Sequence, residues 1–315
     1  MAARHPPADV RIGVSGWTYA PWRGAFYPEG LGAKRELAYA AQVFRSLEVN
    51  GTFYGLQKPE VFARWAAETP DDFLFAVKGP RFITHMKRLK AVEAPLANFF
   101  ASGVLKLGRK LGPVLWQLPA SFPFNEARLD AFLSLLPRNM ATASELARRH
   151  DARLEGRAAV GAETDGPLRH ALEIRHDSYR TPAFTDLLRH HGVALVCADT
   201  VEWPLLMDAT ADFIYVRLHG SQELYRSAYP PEELDRWAAR VRHWREGQAM
   251  TDGAFIDARS VPKRPRDVFV YFDNTDKLHA PDDARALMTR LGQTPGHPDV
   301  PVRRRRKIGA AEAHP

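Results

Sequence analysis

The chain has 315 residues, 45% of them hydrophobic and 26% charged, a balance ordinary for a globular protein. One cysteine, Cys197, rules out a disulfide framework or a thiolate metal cluster, and no run of 18 apolar residues or apolar leader is present, which points to a reducing cytoplasm and away from a membrane partner. The net charge of +7 rests largely on one terminal run, Arg303 to Lys307. The rest is nearly balanced and lacks the basic footprint of a nucleic-acid-binding domain.

Along the chain, apolar strand-like runs alternate with amphipathic helical stretches. "RIGVSGW" (11–17) precedes a helix near 34–44, and "SLEVN" (46–50) precedes one at 59–68. "DFLFAVKGP" (72–80) leads to a helix near 95–107, and "GPVLWQLP" (112–119) to one at 126–136. A longer connection holds a helix over 142–154 and runs to "HALEIRH" (170–176), then a helix at 182–190 and "VALVCAD" (193–199). A short linker with Trp203 and Pro204, too brief for a crossover helix, joins this to "DFIYVRLHG" (212–220). A helix at 231–245, "DVFVYFDN" (267–274) and a last helix at 281–291 complete the pattern. Eight strands alternating with helices predict parallel βαβ units. With no GxGxxG or GxxxxGK[ST] turn, they predict a single (β/α)8 TIM-type barrel over 10–292, with an irregular short crossover before strand 7 and a disordered basic tail over 293–315.

Strand parity then assigns the odd polar residues. In the fifth strand Leu172 and Ile174 suit the helix layer, which turns Glu173 and Arg175 inward. By the same alternation Arg217 and His219 of the seventh strand and Tyr271 and Asp273 of the eighth face the interior. So do Lys78, which shares a face with Leu74 and Ala76, and Gln117, which shares one with Leu115. Asp199 is grouped with Leu195 and Cys197. Glu48 and Asn50 alternate with Leu47 and Val49 and take the same inward address. Nearly all these residues fall late in their strands, the end where barrel enzymes keep their sites. A mouth this polar calls for more than mutual neutralisation, because apolar packing in place of a buried ion network is often neutral or stabilising.

At "GVSGW", "WAAETPDDFLFAVK", "ITH", "GPVLWQLP", "HALEIRH", "YVRLHG" and "VFVYFDN" the sequence resembles the YecE-like family, domain of unknown function 72, from about Arg11 to Leu291. The resemblance implies a TIM-type barrel and no particular activity. The connection from Asn139 to Pro167 is without an assigned role.

Three kinds of chemistry fit the inventory. In the first, needing no cofactor, Lys78, Arg175 and Arg217 bind a small anionic ligand, phosphorylated or carboxylated, with Arg offering a bidentate fork and Lys a point charge. Glu48 or Glu173 acts as general base and His219 as acid, with Lys78 and Asp273 completing the catalytic set. Ser15, Trp17, Asn50, His85, Gln117, His176, Asp199, Tyr271 and Asn274 complete the ligand-binding set. On this reading Arg217 can be removed without loss of the fold. In the second, Glu48, Glu173, Asp199, His219 and Asp273 hold a divalent metal for sugar isomerisation or phosphoester hydrolysis, although three cations compete for the same carboxylates. In the third, the barrel binds nucleic acid without catalysis, through the basic tail and the aromatic loop "WTYAPWRGAFYP" (17–28). Gly13 and Gly16 are expected to let backbone approach a ligand. Oligomeric state is not encoded in any of these signals.

Overall fold

The computed structural model describes residues 8–200, 203, 205–220, 228–257, 263–273 and 278–298. Eight parallel strands form its centre: β1 (Val10–Val14), β2 (Ser46–Val49), β3 (Leu74–Lys78), β4 (Leu111–Gln117), β5 (His170–Glu173), β6 (Ala194–Asp199), β7 (Phe213–Leu218) and β8 (Asp267–Phe272). Each pairs with its sequence neighbour from β2 round to β8, and β8 pairs with β1, Val10 opposite Val268. The ring closes where Ser15 and Glu48 form a parallel bridge and the Gly16 N–H donates to the Glu48 carbonyl at 2.7 Å. The expected α/β TIM-type barrel is therefore the observed one.

Helices α1 (Glu36–Val43), α2 (Gly51–Tyr54), α3 (Pro59–Ala67), α4 (Glu93–Ala101), α5 (Glu126–Leu135), α6 (Met140–Ala147), α7 (Pro182–His191) and α8 (Pro231–Glu246) lie between the strands, and α9 (Ala280–Arg290) follows β8. Their ends follow local chemistry. Proline occupies the first turn of α3, α7, α8 and α9, where its missing N–H is not needed. The Asn125 and Asn139 side chains cap α5 and α6. The stretch expected as one helix over 142–154 is α6 followed by a 3-10 turn at Ala152–Leu154. Between β6 and β7 no helix occurs among the described residues. Instead Leu205–Met207 pairs with Ala254, through Ala254 N–H to the Leu205 carbonyl at 2.9 Å and Met207 N–H to the Ala254 carbonyl at 2.8 Å.

Two apolar layers result. Leu47, Val49, Leu172, Ile214, Val216, Val268 and Val270 pack outward against the helices. Inside the barrel, small residues on one wall (Ala76, Ala171, Ala194) face rings on the other (Phe213, Tyr215, Phe269, Tyr271), so large fills the space left by small. Gly13 belongs to this packing and not to a ligand. A Cβ there would lie 1.8 Å from the Ser46 carbonyl oxygen, so only glycine lets β1 approach β2. Gly16, at φ +76°, makes room for the Tyr19 ring in the same way.

Residues 293–298, placed by the sequence in the tail, touch the barrel: Gln293 Nε2 donates to the Val10 carbonyl at 2.8 Å and Gly296 N–H to the Val43 carbonyl at 3.2 Å. The basic run 303–307 lies outside the described residues. No helix among those described is long and apolar enough to cross a membrane.

Candidate functional site

Arg217, fully buried near the end of β7, is the centre of the mouth. Its Nε donates to Glu48 Oε2 at 3.1 Å and its Nη2 to Glu48 Oε1 at 2.9 Å, a fork on one carboxylate. Nη2 also donates to Asp273 Oδ2 at 2.6 Å, and Nη1 to Glu173 Oε2 at 2.7 Å. Nη1 further approaches His219 Nε2 at 3.3 Å. Parity and late strand position thus bring Glu48, Glu173, Arg217, His219 and Asp273 together from β2, β5, β7 and the β8 end, as expected. The role expected of Arg217 is not what the contacts allow. Its donors are engaged by three carboxylates and an imidazole, so it organises the network and offers no fork to an incoming anion.

The carboxylates are equally occupied. Ser15 Oγ donates to Glu48 Oε1 at 2.6 Å and the Tyr215 hydroxyl to Oε2 at 2.6 Å. Gln117 Nε2 and Arg175 Nε donate to Glu173 Oε1 at 2.7 and 2.9 Å. Burial alone would raise the Glu173 carboxyl, but the Arg217 and Arg175 guanidiniums overcome it and hold it well below the usual carboxylate range. A base so held is a poor proton acceptor. His219 is sealed as well. Burial, reinforced by Arg217, pushes its imidazole down to about 4. A guanidinium can only donate, so Nε2 is the acceptor and the proton sits on Nδ1, 3.6 Å from Asp273 Oδ2. An imidazole held neutral in this way carries no proton beyond the one on Nδ1 to give as a general acid near neutral pH.

Lys78, at the end of β3, differs from its neighbours. Its Nζ stands 4.3 Å from the centroid of the Phe53 ring, and no carboxylate pairs with it among the described residues. Burial, with Arg217 adding to it, pushes the ammonium down to about 8. The Thr52 hydroxyl donates to the Lys78 carbonyl at 2.7 Å, tying α2 to the strand end. His85, in a π-helical turn over Phe82–Met86, sets its ring edge-on to the same Phe53 ring at 5.1 Å. Its Nδ1 contacts Thr84 Oγ1 at 2.9 Å, and burial with the nearby Lys78 and Arg175 pushes it down to about 4. Phe53, Thr52 and Tyr215 were not among the site residues expected. Phe53 and Thr52 lie in the one-turn helix α2, which "NGTFYG" does not announce by any periodicity.

Other expected members sit elsewhere. Asp199 is a correction: Leu195 and Cys197 pack in the helix layer, so Asp199 shares that face and accepts from Trp237 Nε1 of α8 at 3.1 Å. "VALVCAD" is apolar on both faces, and its interior set is Ala194, Val196 and Ala198. The Tyr271 hydroxyl is bonded to Ser46 Oγ at 2.6 Å, at the start of β2 and away from the mouth. His176 caps a 3-10 turn, with Nδ1 bonded to Ser178 Oγ at 2.8 Å. Trp17 packs edge-on against Trp65 at 5.1 Å and, with Asn50, lines a cavity of about 260 Å³ beside the β1 and β2 ends. Asn50 Oδ1 is buried with no hydrogen-bond partner. In the aromatic loop Trp22, Phe26 and Tyr27 are buried against Tyr39 and Phe44, a hydrophobic cover and not a stacking platform. Asn274 lies outside the described residues.

Among the described residues the donor set is not arranged around a divalent cation. Glu48, Glu173 and Asp273 all point at a guanidinium, Asp199 faces α8, and among the described residues no three His, Cys, Asp or Glu side chains are grouped to hold a metal.

Comparison with known proteins places this arrangement in a recognised group. The family profile described as "Protein of unknown function DUF72" matches residues 11–306. The UPF0759 protein YecE of Escherichia coli (strain K12) is 35% identical over 297 residues, spanning 92% of this chain and 97% of that protein. The UPF0759 protein YunF of Bacillus subtilis (strain 168) is 22% identical over 297 residues, spanning 90% and 94%. The crystal structure of a DUF72 family protein from Thermotoga maritima MSB8 superposes with a TM-score of 0.66 at 25% identity, covering 90% of this chain and all of that one.

Proposed function

The chain belongs to the DUF72 family of proteins of unknown function, and we propose that its barrel mouth acts on a small anionic molecule by proton transfer through Lys78, without a metal. One observation carries this reading. Lys78 is the mouth cation that forms no direct ion pair among the described residues, while Arg217 and Arg175 are bound to Glu48, Glu173 and Asp273. A buried ammonium that feels Glu173, Glu48 and Asp273 only at longer range, with no direct ion pair, is costly, and a ligand phosphate or carboxylate would supply the direct partner. A group near 8 also exchanges protons readily around neutral pH, where an ordinary lysine stays protonated. His85, neutral and edge-on to the same Phe53 ring, is a further imidazole beside the mouth. Glu48 and Glu173 then serve to hold Arg217 charged and the strand ends in register.

Thermal denaturation with phosphate, sulfate and small carboxylates tests the reading. A ligand that binds only the folded state stabilises it by about 2.7 kcal/mol at a hundred times Kd. We expect a rise in Tm that Lys78→Met removes and Asp199→Asn, on the other face of the sheet, retains. A chelator is expected to leave Tm unchanged. A Tm that falls with chelator and returns with Mn or Zn, or an anion response untouched in Lys78→Met, would reject it.

A further inference from the structure

We infer that Lys78 forms an imine with a small carbonyl compound that carries an anionic group, a 2-oxo acid being the simplest member of the class. The inference rests on the lysine-centred reading of the mouth and adds to it a covalent step and a substrate class.

The geometry around the amine is what such a step requires. The root of the side chain is immobile, because the Thr52 hydroxyl holds the Lys78 carbonyl. The following residue, Gly79, is pressed so close to Trp116 that a Cβ there would lie 2.3 Å from the indole. The stem is buried and 8% of the residue remains exposed. Nζ lies over an aromatic face instead of a carboxylate, and Arg217 is close enough to disfavour its protonation. A lysine desolvated beside a second cation is the environment that activates an amine as a nucleophile. A lysine serving only to balance Glu48, Glu173 and Asp273 would gain most by pairing directly with one of them, as Arg175 and Arg217 do.

The step balances without an outside oxidant or reductant. The Nζ lone pair attacks the carbonyl carbon and the carbon–oxygen π pair moves to oxygen. One proton passes from nitrogen to that oxygen by way of solvent at the mouth, giving the carbinolamine. The nitrogen lone pair then forms the C=N bond as the hydroxyl, taking one proton from solvent, departs as water. Amine, carbonyl and one proton have become protonated imine and water. The anionic group of the ligand balances the positive charge of the protonated imine in a mouth whose own carboxylates are taken.

Reductive trapping reads this directly. The full-length protein is incubated with glyoxylate or pyruvate, reduced with borohydride, and mapped by peptide mass spectrometry. A lysine at about 8 has about 300-fold more free amine at pH 7 than one at 10.5. Adduct at Lys78 is therefore expected to form at least tens of times faster than at exposed lysines such as Lys34 and Lys58. Lys78→Arg, checked for folding by circular dichroism, should lose that adduct and keep the slow background. Adducts spread evenly over exposed lysines would overturn the inference. If the same compounds raise Tm in a Lys78-dependent way but leave no adduct, the imine falls and the anion reading stands. If they do neither, both fall.

Discussion

Glu48 of β2 and Arg217 of β7 meet as a two-point fork inside the barrel, Nε to Oε2 at 3.1 Å and Nη2 to Oε1 at 2.9 Å, with both side chains sealed from solvent. Removing the guanidinium leaves Glu48, Glu173 and Asp273 facing one another without the shared cation. Breaking a buried ion pair from one side costs about 3–5 kcal/mol, so Arg217→Met is expected to lower stability by at least that much in urea titration. Arg217→Lys should not restore it, since an ammonium cannot reproduce the fork. Adding Glu173→Gln and Asp273→Asn to Arg217→Met should recover part of the loss. A freely stable Arg217→Met would show that the network is not what holds the mouth together.

Acid should unfold the protein earlier than its carboxylates alone require. His170 at the start of β5 accepts from Trp116 Nε1 at 3.2 Å and bonds the Pro137 carbonyl at 2.8 Å through Nε2, which fixes the neutral tautomer. Burial pushes both His170 and His219 down to about 4. The unfolded chain takes up these protons near 6.5 and the folded one only near 4. In that window the unfolded state binds more protons, so stability falls as pH falls through it. Each imidazole contributes on the order of 1–3 kcal/mol. Denaturant midpoints between pH 7 and 4 should show the slope, and His170→Asn should flatten it. Lys78 acts in the alkaline window: stability rises with pH between about 8 and 10.5.

Gly13→Ala should damage the fold through backbone packing alone. The added carbon meets the Ser46 carbonyl oxygen, which is backbone and cannot rotate away. Overpacking typically costs about 1–3 kcal/mol, and here it strikes the β1–β2 seam on which closure depends. Equilibrium denaturation checks the size. A variant as stable as the parent would mean the seam has slack.

Much of this is legible in the sequence. Apolar alternation identified all eight strands, and for β3, β4, β5, β7 and β8 it also told inside from outside. It failed on β6, where residues of both parities are apolar and the single polar residue, Asp199, carries no information about which layer receives it. The convergence on Arg217 could be guessed from parity, but not its saturation, which depends on how strand stagger brings three carboxylates within reach of one guanidinium. Lys78 was visible as a mouth cation. Its lack of a carboxylate partner was not, because a missing contact leaves no trace in a sequence pattern.

The pairing of Val10 with Val268 joins positions 258 residues apart, and the Glu48–Arg217 fork depends on the ring that this pairing completes. Until β8 docks on β1, the chain has no enclosed space in which three carboxylates and a guanidinium can be withdrawn from water. Non-local pairing of this kind is slow to form. The C-terminal strand therefore also completes the charge constellation, since Asp273 follows it, and a nascent chain stopped before Asp267 would hold Glu48, Glu173 and Arg217 hydrated. Such a chain would present a wet, open sheet edge and lack the assembled charge network.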